Sequence, residues 1–230
     1  MPEAVGPFSY SYQFNALAGG LFLLCTFGMV ATRQVQGCLR FFVLQSIFLA
    51  SSAFLIGLHP WSWHLMAIAV INIINKPILI PWLLRRTVPE EVLSRREISQ
   101  VLNIPISLLI ALGITISAYF FSLPFVKLAK GSAAGVNIPI GLAVLLLCAY
   151  SLTVRREAVP QLFGLLGMEN GAFFTSLSIV PDLHLFIELV VAFDVLIAVF
   201  VIGVLTRAIH EHIGTTAVGS LQELKEESPQ

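Results

Sequence analysis

The sequence predicts an all-α integral membrane protein, a helical bundle of about seven transmembrane helices. Of its 230 residues, 57% are hydrophobic and only 11% are charged, and the mean hydropathy is +0.89. A soluble domain carries about a quarter of charged residues, so most of this surface is expected to face the lipid bilayer. No run of basic residues could neutralise a phosphate backbone, so no nucleic acid partner is expected.

Seven apolar runs carry the predicted helices. A hydrocarbon core of about 30 Å requires about 20 apolar residues per helix. Runs near that length lie at 12–31, 39–58, 63–84, 104–123, 136–154, 160–180 and 184–208. The sixth is the least regular, because three glycines and Glu169 interrupt it. The first run has no basic residue before it, so we expect a retained helix and not a cleaved signal peptide.

The runs divide the chain into four predicted parts. Residues 1–84 form an N-terminal three-helix membrane unit, and 85–135 hold an amphipathic connection followed by the fourth helix. Residues 136–213 form a second three-helix membrane unit, and 214–230 form a cytoplasmic tail. The polar stretch from Arg85 to Asn103 is expected to lie on the membrane surface.

The positions of lysine and arginine predict the orientation. The loops on one side contain ten of these residues, whereas the loops on the other side contain only Lys127 and Lys130. The ten are Arg33, Arg40, Arg85, Arg86, Arg95, Arg96, Arg155, Arg156, Arg207 and Lys225. This bias predicts an N-terminus outside the cell and a C-terminus in the cytoplasm.

Four charged residues are predicted at bilayer depth, away from the helix ends: Lys76, Glu169, Glu188 and Asp194. Each costs at least ~2.5–3.5 kcal/mol at the bilayer centre. With a helical rise of about 1.5 Å per residue, Glu169 and Asp194 each lie roughly 18 Å below the turn that joins the last two helices. Lys76 and Gln45 are predicted to lie in the same layer, and Glu188 closer to the outer surface.

The balance of these charges favours a role in proton transfer. One lysine does not neutralise three carboxylates, and bare ions in hydrocarbon are too costly. Some carboxyl groups are therefore protonated at neutral pH, or a neighbouring subunit supplies cations; burial and nearby charge set pKa values in both cases. The alternative is that these groups only join helices, at about 0.6–2 kcal/mol per hydrogen bond.

The third predicted helix contains a polar break. Pro77 follows Lys76 and leaves the carbonyl of Ile73 without its helical partner, and Asn72 and Asn75 lie on or next to the same face. A broken, polar helix centre can bind water or an ion, and a simple kink is the alternative.

The sequence contains no sign of a catalytic residue, a metal site or a cofactor of its own. Cys25, Cys38 and Cys148 are too far apart in sequence to resemble a zinc or iron–sulfur site, and we expect them to be small core residues. The histidines lie near predicted helix ends, where they are usually solvated; a haem between His64 and His184 is the alternative.

One segment resembles a known family. Residues 167–174 read G-M-E-N-G-A-F-F and resemble the M-E-N-G-x-F stretch of hydrogenase-4 component E proteins, membrane subunits of formate-hydrogenlyase-type complexes. The resemblance continues through Glu188-Leu189, Phe193 to Leu196, Val199 to Val204 and the tail 221–226, and Lys76 with Pro81 is similar to that family's third helix. Asn170 thereby joins Asn72, Asn75 and Gln45 as a possible polar path beside the proton-transfer candidates.

The helices of 136–213 also resemble the three-helix K-type subunit of respiratory complex I. Glu169 matches its glutamate in a G-L-E stretch, and Asp194 matches its second membrane glutamate with a shorter side chain. The resemblance implies a non-catalytic, multi-pass subunit in a prokaryotic plasma (inner) membrane. The implied partners are antiporter-like membrane subunits, a complex-I H-type membrane subunit, and peripheral hydrogenase-like and iron–sulfur subunits.

Three hypotheses follow from these observations. The first is a membrane-arm subunit of a group 4 nickel–iron hydrogenase, or a related complex, that contributes buried charges to coupled proton or sodium translocation. The second is a structural scaffold between antiporter-like subunits, whose acids never change protonation. The third is a cation antiporter or transporter component that binds its solute at the break between Asn72 and Lys76.

Overall fold

The computed structural model describes residues 8–58, 61–87, 100–128 and 137–177, together with Gly135 and Gly203. These residues are almost entirely helical. Helices α1 (Phe8–Ala31), α2 (Val35–Leu58) and α3 (Trp63–Ile73) come first, and α3 continues through a π-helical segment (Ile74–Leu79) into α4 (Ile80–Thr87). They are followed by α5 (Ile104–Leu128), α6 (Asn137–Val154) and α7 (Ala158–Ser176).

The membrane character of the predicted fold is confirmed. Within the described ranges, five stretches are long and apolar enough to cross a membrane by length and composition. They are Tyr10–Ala31, Val35–Leu58, Leu65–Arg86, Ile104–Lys127 and Asn137–Val154. The sixth predicted run is the 19-residue helix α7, whose glycines, Glu169 and Asn170 lower its hydropathy.

The interruptions in the sixth run do not break its helix; they allow close packing. A Cβ atom on Gly171 would lie 2.5 Å from the backbone nitrogen of Leu145, and one on Gly141 would lie 2.6 Å from the backbone nitrogen of Thr175. Gly167 faces α6 as well, with its Cβ position 2.5 Å from the Cys148 sulfur. The glycines therefore bring the backbones of α6 and α7 into direct contact.

Short connections determine much of the topology. Only Thr32 to Gln34 separate α1 from α2, and only Arg155 to Glu157 separate α6 from α7, so each pair packs as antiparallel neighbours. Helix α1 also contacts α5 and α6, and α2 contacts α3, the π segment and α7. Helix α2 therefore contacts α1, α3, the π segment and α7.

Two of the apolar clusters in the interior lie at different levels along the helices. One contains Met29, Phe42, Ile80 and Leu166, and the other contains Phe22, Leu49, Ala69 and Phe173. Helices α1, α2 and α7, and the run from α3 to α4, contribute to both clusters. The polar side chains between the clusters include Thr26 on α1, Gln45 on α2, Lys76 on the π segment and Asn170 on α7. All four are buried, so a polar layer separates the two apolar levels.

Several predictions lie outside the described residues. These are the seventh helix with Glu188 and Asp194, the tail 214–230, and most of the amphipathic connection (88–99). The count of seven helices, the four-part division and the orientation in the membrane stay predictions. The three cysteines are buried, as expected.

Candidate functional site

The polar layer begins at the π segment. Proline has no N–H to donate to the preceding turn, and around Pro77 the helix widens, so that the N–H of Ile80 donates to the carbonyl oxygen of Asn75, five residues back. Single π turns inside α-helices occur frequently at functional sites. Here Asn75 and Lys76 are buried, whereas Ile74 and Ile78 are exposed on the outer face.

Lys76 and Glu169 form a buried ion pair between the π segment and α7. The Lys76 ammonium lies 2.6 Å from Oε1 of Glu169. The lysine side chain is fully buried and the glutamate side chain is 13% exposed. The ammonium also lies 5.9 Å from the ring centroid of Phe173, a cation–π distance. Lys76 and Glu169 therefore lie in one layer, as predicted.

A directional chain of hydrogen bonds leads away from this pair. Lys76 donates to Oδ1 of Asn170 at 2.8 Å, and Nδ2 of Asn170 donates to Oε1 of Gln45 at 3.0 Å. Nε2 of Gln45 then donates to the Thr26 hydroxyl at 2.8 Å, which donates to the carbonyl of Phe22 at 3.2 Å. Every donor points away from the ammonium, so the bonds polarise one another in the same direction. We call Glu169, Lys76, Asn170, Gln45 and Thr26 the charged layer.

The amide members of the charged layer hold Lys76 in place but do not themselves carry protons. Amide groups neither gain nor lose protons near neutral pH, so Asn170 and Gln45 act by orienting the ammonium. Ser46, which accepts a second bond from Nδ2 of Asn170 at 3.2 Å, fixes that amide further. The titratable members are Lys76 and Glu169, and a proton can be exchanged only at these two.

Six of the predicted site residues fall within the described part. Gln45, Lys76, Glu169 and Asn170 meet in the charged layer, and Asn72 and Asn75 lie one turn and one residue before Lys76. Glu188 and Asp194 fall outside the described residues. The predicted excess of acids over bases depends on those two, because Lys76 and Glu169 alone balance each other.

Thr26 and Ser46 are members of the site that sequence reasoning missed. A hydroxyl inside an apolar helix normally bonds to its own backbone, as Thr26 does to Phe22 and Ser46 to Phe42. Nothing in the sequence distinguishes those that accept a bond from another helix.

A second polar cluster, also missed, joins α1, α2 and α6. Nδ2 of Asn15 donates to Oδ1 of Asn137 at 3.0 Å, and the Ser52 hydroxyl donates to Oδ1 of Asn15 at 2.6 Å. Nδ2 of Asn137 donates back to the Ser52 oxygen at 3.2 Å. We call these three residues the neutral triad, because its members are uncharged and satisfy one another.

Arg155, which served above only to predict orientation, is buried. Its guanidinium donates to the carbonyls of Met29 and Thr32 and to the Cys38 sulfur. The carbonyls at a helix C-terminus lack helical partners and carry partial negative charge. Arg155 therefore caps the end of α1 and ties it to the connection between α6 and α7.

Comparison with known proteins places the chain in a family. No protein-family model matches it, and no solved structure gives a match. It is 32% identical to the uncharacterized protein Rv0085 of Mycobacterium tuberculosis over 95% of this chain and 98% of that protein. It is also 25% identical to hydrogenase-4 component E of Escherichia coli K12 and of Shigella flexneri, over 92% of this chain and 96% of theirs.

These relationships extend over 92–95% of the chain. At 25% identity the relationship to hydrogenase-4 component E is distant. The chain belongs to the family of the mycobacterial protein Rv0085, a family of helical membrane proteins distantly related to hydrogenase-4 component E.

Proposed function

We propose that this protein is a membrane-arm subunit of a group 4 nickel–iron hydrogenase or a related complex-I-like complex, in which Lys76 and Glu169 take part in coupled proton translocation. It carries no redox centre in this proposal. The electron-transfer reaction belongs to partner subunits of the kinds named above, and this chain contributes buried charges to the membrane path.

The observation that carries the proposal is the ion pair between Lys76 and Glu169. Replacing both residues with apolar ones would avoid the desolvation cost of two ions, and buried ion pairs are weak evidence for stability. Ionisable residues inside membrane helices are therefore functional candidates by default. Distant similarity to hydrogenase-4 component E over nearly the whole chain supports the assignment to a membrane arm.

The proton steps follow from the geometry of the pair. When Glu169 takes up a proton, its carboxylate becomes neutral and the ion pair with Lys76 is broken; the ammonium keeps its bond to Asn170. When the proton leaves Glu169, the pair forms again. A charge that arrives near Lys76 from a neighbouring subunit shifts this equilibrium, because a nearby charge changes the pKa of a buried carboxyl group. Moving one charge through 100 mV requires about 2.3 kcal/mol. A shift of one or two pKa units changes the free energy of protonation by a similar amount.

The test is proton pumping by the intact complex that co-purifies with the tagged chain. We expect Glu169→Gln to abolish or strongly reduce pumping in reconstituted vesicles while the complex still assembles, because the amide cannot exchange a proton. The matched control is Glu157→Gln, the same change in the connection between α6 and α7, which should pump normally. Unchanged pumping by the assembled Glu169→Gln complex would overturn the proposal.

A scaffold is the second candidate, and one observation favours it. Lys76 and Glu169 balance each other's charge and join the π segment to α7, so the pair could stay ionised permanently. In that case the double variant Lys76→Met with Glu169→Gln, which keeps neutral side chains of similar volume, would assemble and pump normally. Under the proton-transfer proposal the same double variant assembles but does not pump.

A further inference from the structure

Two buried amide oxygens beside the charged layer have no hydrogen-bond partner. They are Oδ1 of Asn72 and Oδ1 of Asn75; the residues are 0% and 7% exposed. The Nδ2 of Asn72 donates to the carbonyl of Ile68 at 3.3 Å, so that amide is oriented with its oxygen turned away from its own helix backbone. Buried side-chain oxygens almost always have a partner, either protein or ordered water.

The residues that carry these oxygens lie beside Lys76 in the helix. Residues three and four apart in a helix are neighbours, about 5–6 Å between their Cβ atoms. Asn72 precedes Asn75 by three residues and Lys76 by four, Asn75 directly precedes Lys76, and all three are buried. The π segment that begins at Ile74 widens the helix at this level. Buried water occupies sites with several polar partners, and the amide oxygens and the ion pair supply them here.

We propose that Asn72 and Asn75 hold ordered water against the Lys76–Glu169 pair. The oxygens only accept hydrogen bonds, so their ligand must be a donor or a cation. The adjacent ammonium of Lys76 repels a bare cation such as sodium, which favours water. Each amide oxygen accepts a hydrogen bond from water, and the water oxygen can in turn accept a hydrogen bond from the Lys76 ammonium.

The water has a part in proton exchange that rests on the proposed function. The hydrogen bonds on the Asn170 side of Lys76 run through amides, which do not release protons, so exchange with the pair requires another route. Water at Asn72 and Asn75 provides it: this water donates a proton to the Glu169 carboxylate as it accepts a proton from a further water, so that it stays neutral beside the Lys76 ammonium, and the reverse transfers return the proton. No other reactant is needed.

Radiolytic footprinting of the native complex tests the water site. X-ray pulses split bound water into hydroxyl radicals that oxidise side chains within a few ångströms, so each labelled side chain reports nearby water. The reporter is Phe173, whose ring lies 5.9 Å from the Lys76 ammonium. The control is Phe163, on the same helix but in the other apolar cluster, where its ring centroid lies 6.0 Å from that of Phe42.

We expect Phe173 to be labelled and Phe163 not, and the double variant Asn72→Leu with Asn75→Leu to lose the Phe173 label. The variant Asn15→Leu, which removes an asparagine from the neutral triad, should keep it.

A Phe173 label no stronger than that of Phe163, or one unchanged in the double variant, overturns the water site. If the label behaves as expected but Glu169→Gln still pumps, the water site stands and the proposed function fails. If the double variant does not assemble, the comparison of Phe173 with Phe163 in the unaltered complex decides.

Discussion

The charged layer and the neutral triad are both buried polar groups that join helices, yet they are built differently. In the neutral triad, Asn15, Ser52 and Asn137 satisfy one another and form a closed cluster. The charged layer contains an ion pair, an interrupted helix and, just outside it, two asparagine oxygens without partners. The side chains of the neutral triad satisfy one another's hydrogen bonds, whereas the two asparagine oxygens beside the charged layer have no partner.

This difference supports our proposal that the charged layer has a functional role and the neutral triad a structural one. Helix association in membranes is adequately supported by neutral hydrogen bonds and close packing of small residues, and this chain uses both, in the neutral triad and at the glycines of α6 and α7. Stability alone therefore does not require a buried ion pair. The additional cost of burying two ions is the basis of our proposal that the charge at this position has a function.

The largest effect is expected in a double-mutant cycle on the ion pair, which tests how the charged layer differs from the neutral triad. Lys76→Met alone leaves the Glu169 carboxylate without its ammonium partner, and removing one partner of a buried pair costs about 3–5 kcal/mol. The double variant with Glu169→Gln should recover most of the loss. Unfolding by denaturant in detergent micelles measures all four forms. Additive losses would show that the two side chains do not interact.

A smaller loss is expected from Gly171→Ala. The added Cβ would lie 2.5 Å from the backbone nitrogen of Leu145 and 2.8 Å from the backbone oxygen of Gly141. Neither atom can move without shifting a helix, so we expect a cost of about 1–3 kcal/mol, as for overpacked cores. Gly20→Ala on α1 is the control, because its Cβ would meet nothing within 4 Å. Equal melting temperatures for the two variants would contradict the packing described for α6 and α7.

The smallest effect tests the neutral triad with two adjacent serines. Ser52 donates across helices to Asn15 at 2.6 Å, whereas Ser51 donates to the carbonyl of Ile47 in its own helix at 2.8 Å. Ser52→Ala should cost about 0.6–2 kcal/mol, and Ser51→Ala close to nothing. Neither change should alter pumping. A pumping defect in Ser52→Ala would show that the triad does more than join helices.

Much of the fold could be predicted from the sequence, because length and hydropathy directly reflect the thickness of the bilayer. The six runs up to Leu177 match helices of the structure within a few residues, and helix α7 forms despite its glycines because those glycines are contact points with α6. Sequence alone does not show which faces of two helices meet, so the role of Gly141 and Gly171 could not be predicted.

Only part of the site could be predicted, because sequence alone does not show which helix faces meet. Charged and amide side chains are rare in membrane helices, so Gln45, Lys76, Glu169 and Asn170 were identified and do meet. Thr26, Ser46 and Ser52 are common residue types whose importance comes only from their partners on other helices. Arg155 was interpreted by its position in a loop, and its contacts with the end of α1 depend on how α1 and α6 pack.

The measurement that tests the central claim most directly is the infrared difference spectrum of the native complex during turnover. Proton exchange at Glu169 predicts a protonated-carboxyl band that changes on turnover and disappears in Glu169→Gln but remains in Glu157→Gln. A difference spectrum with no carboxyl change, or one that Glu169→Gln leaves intact, would contradict the account and leave the Lys76–Glu169 pair as a permanent structural contact.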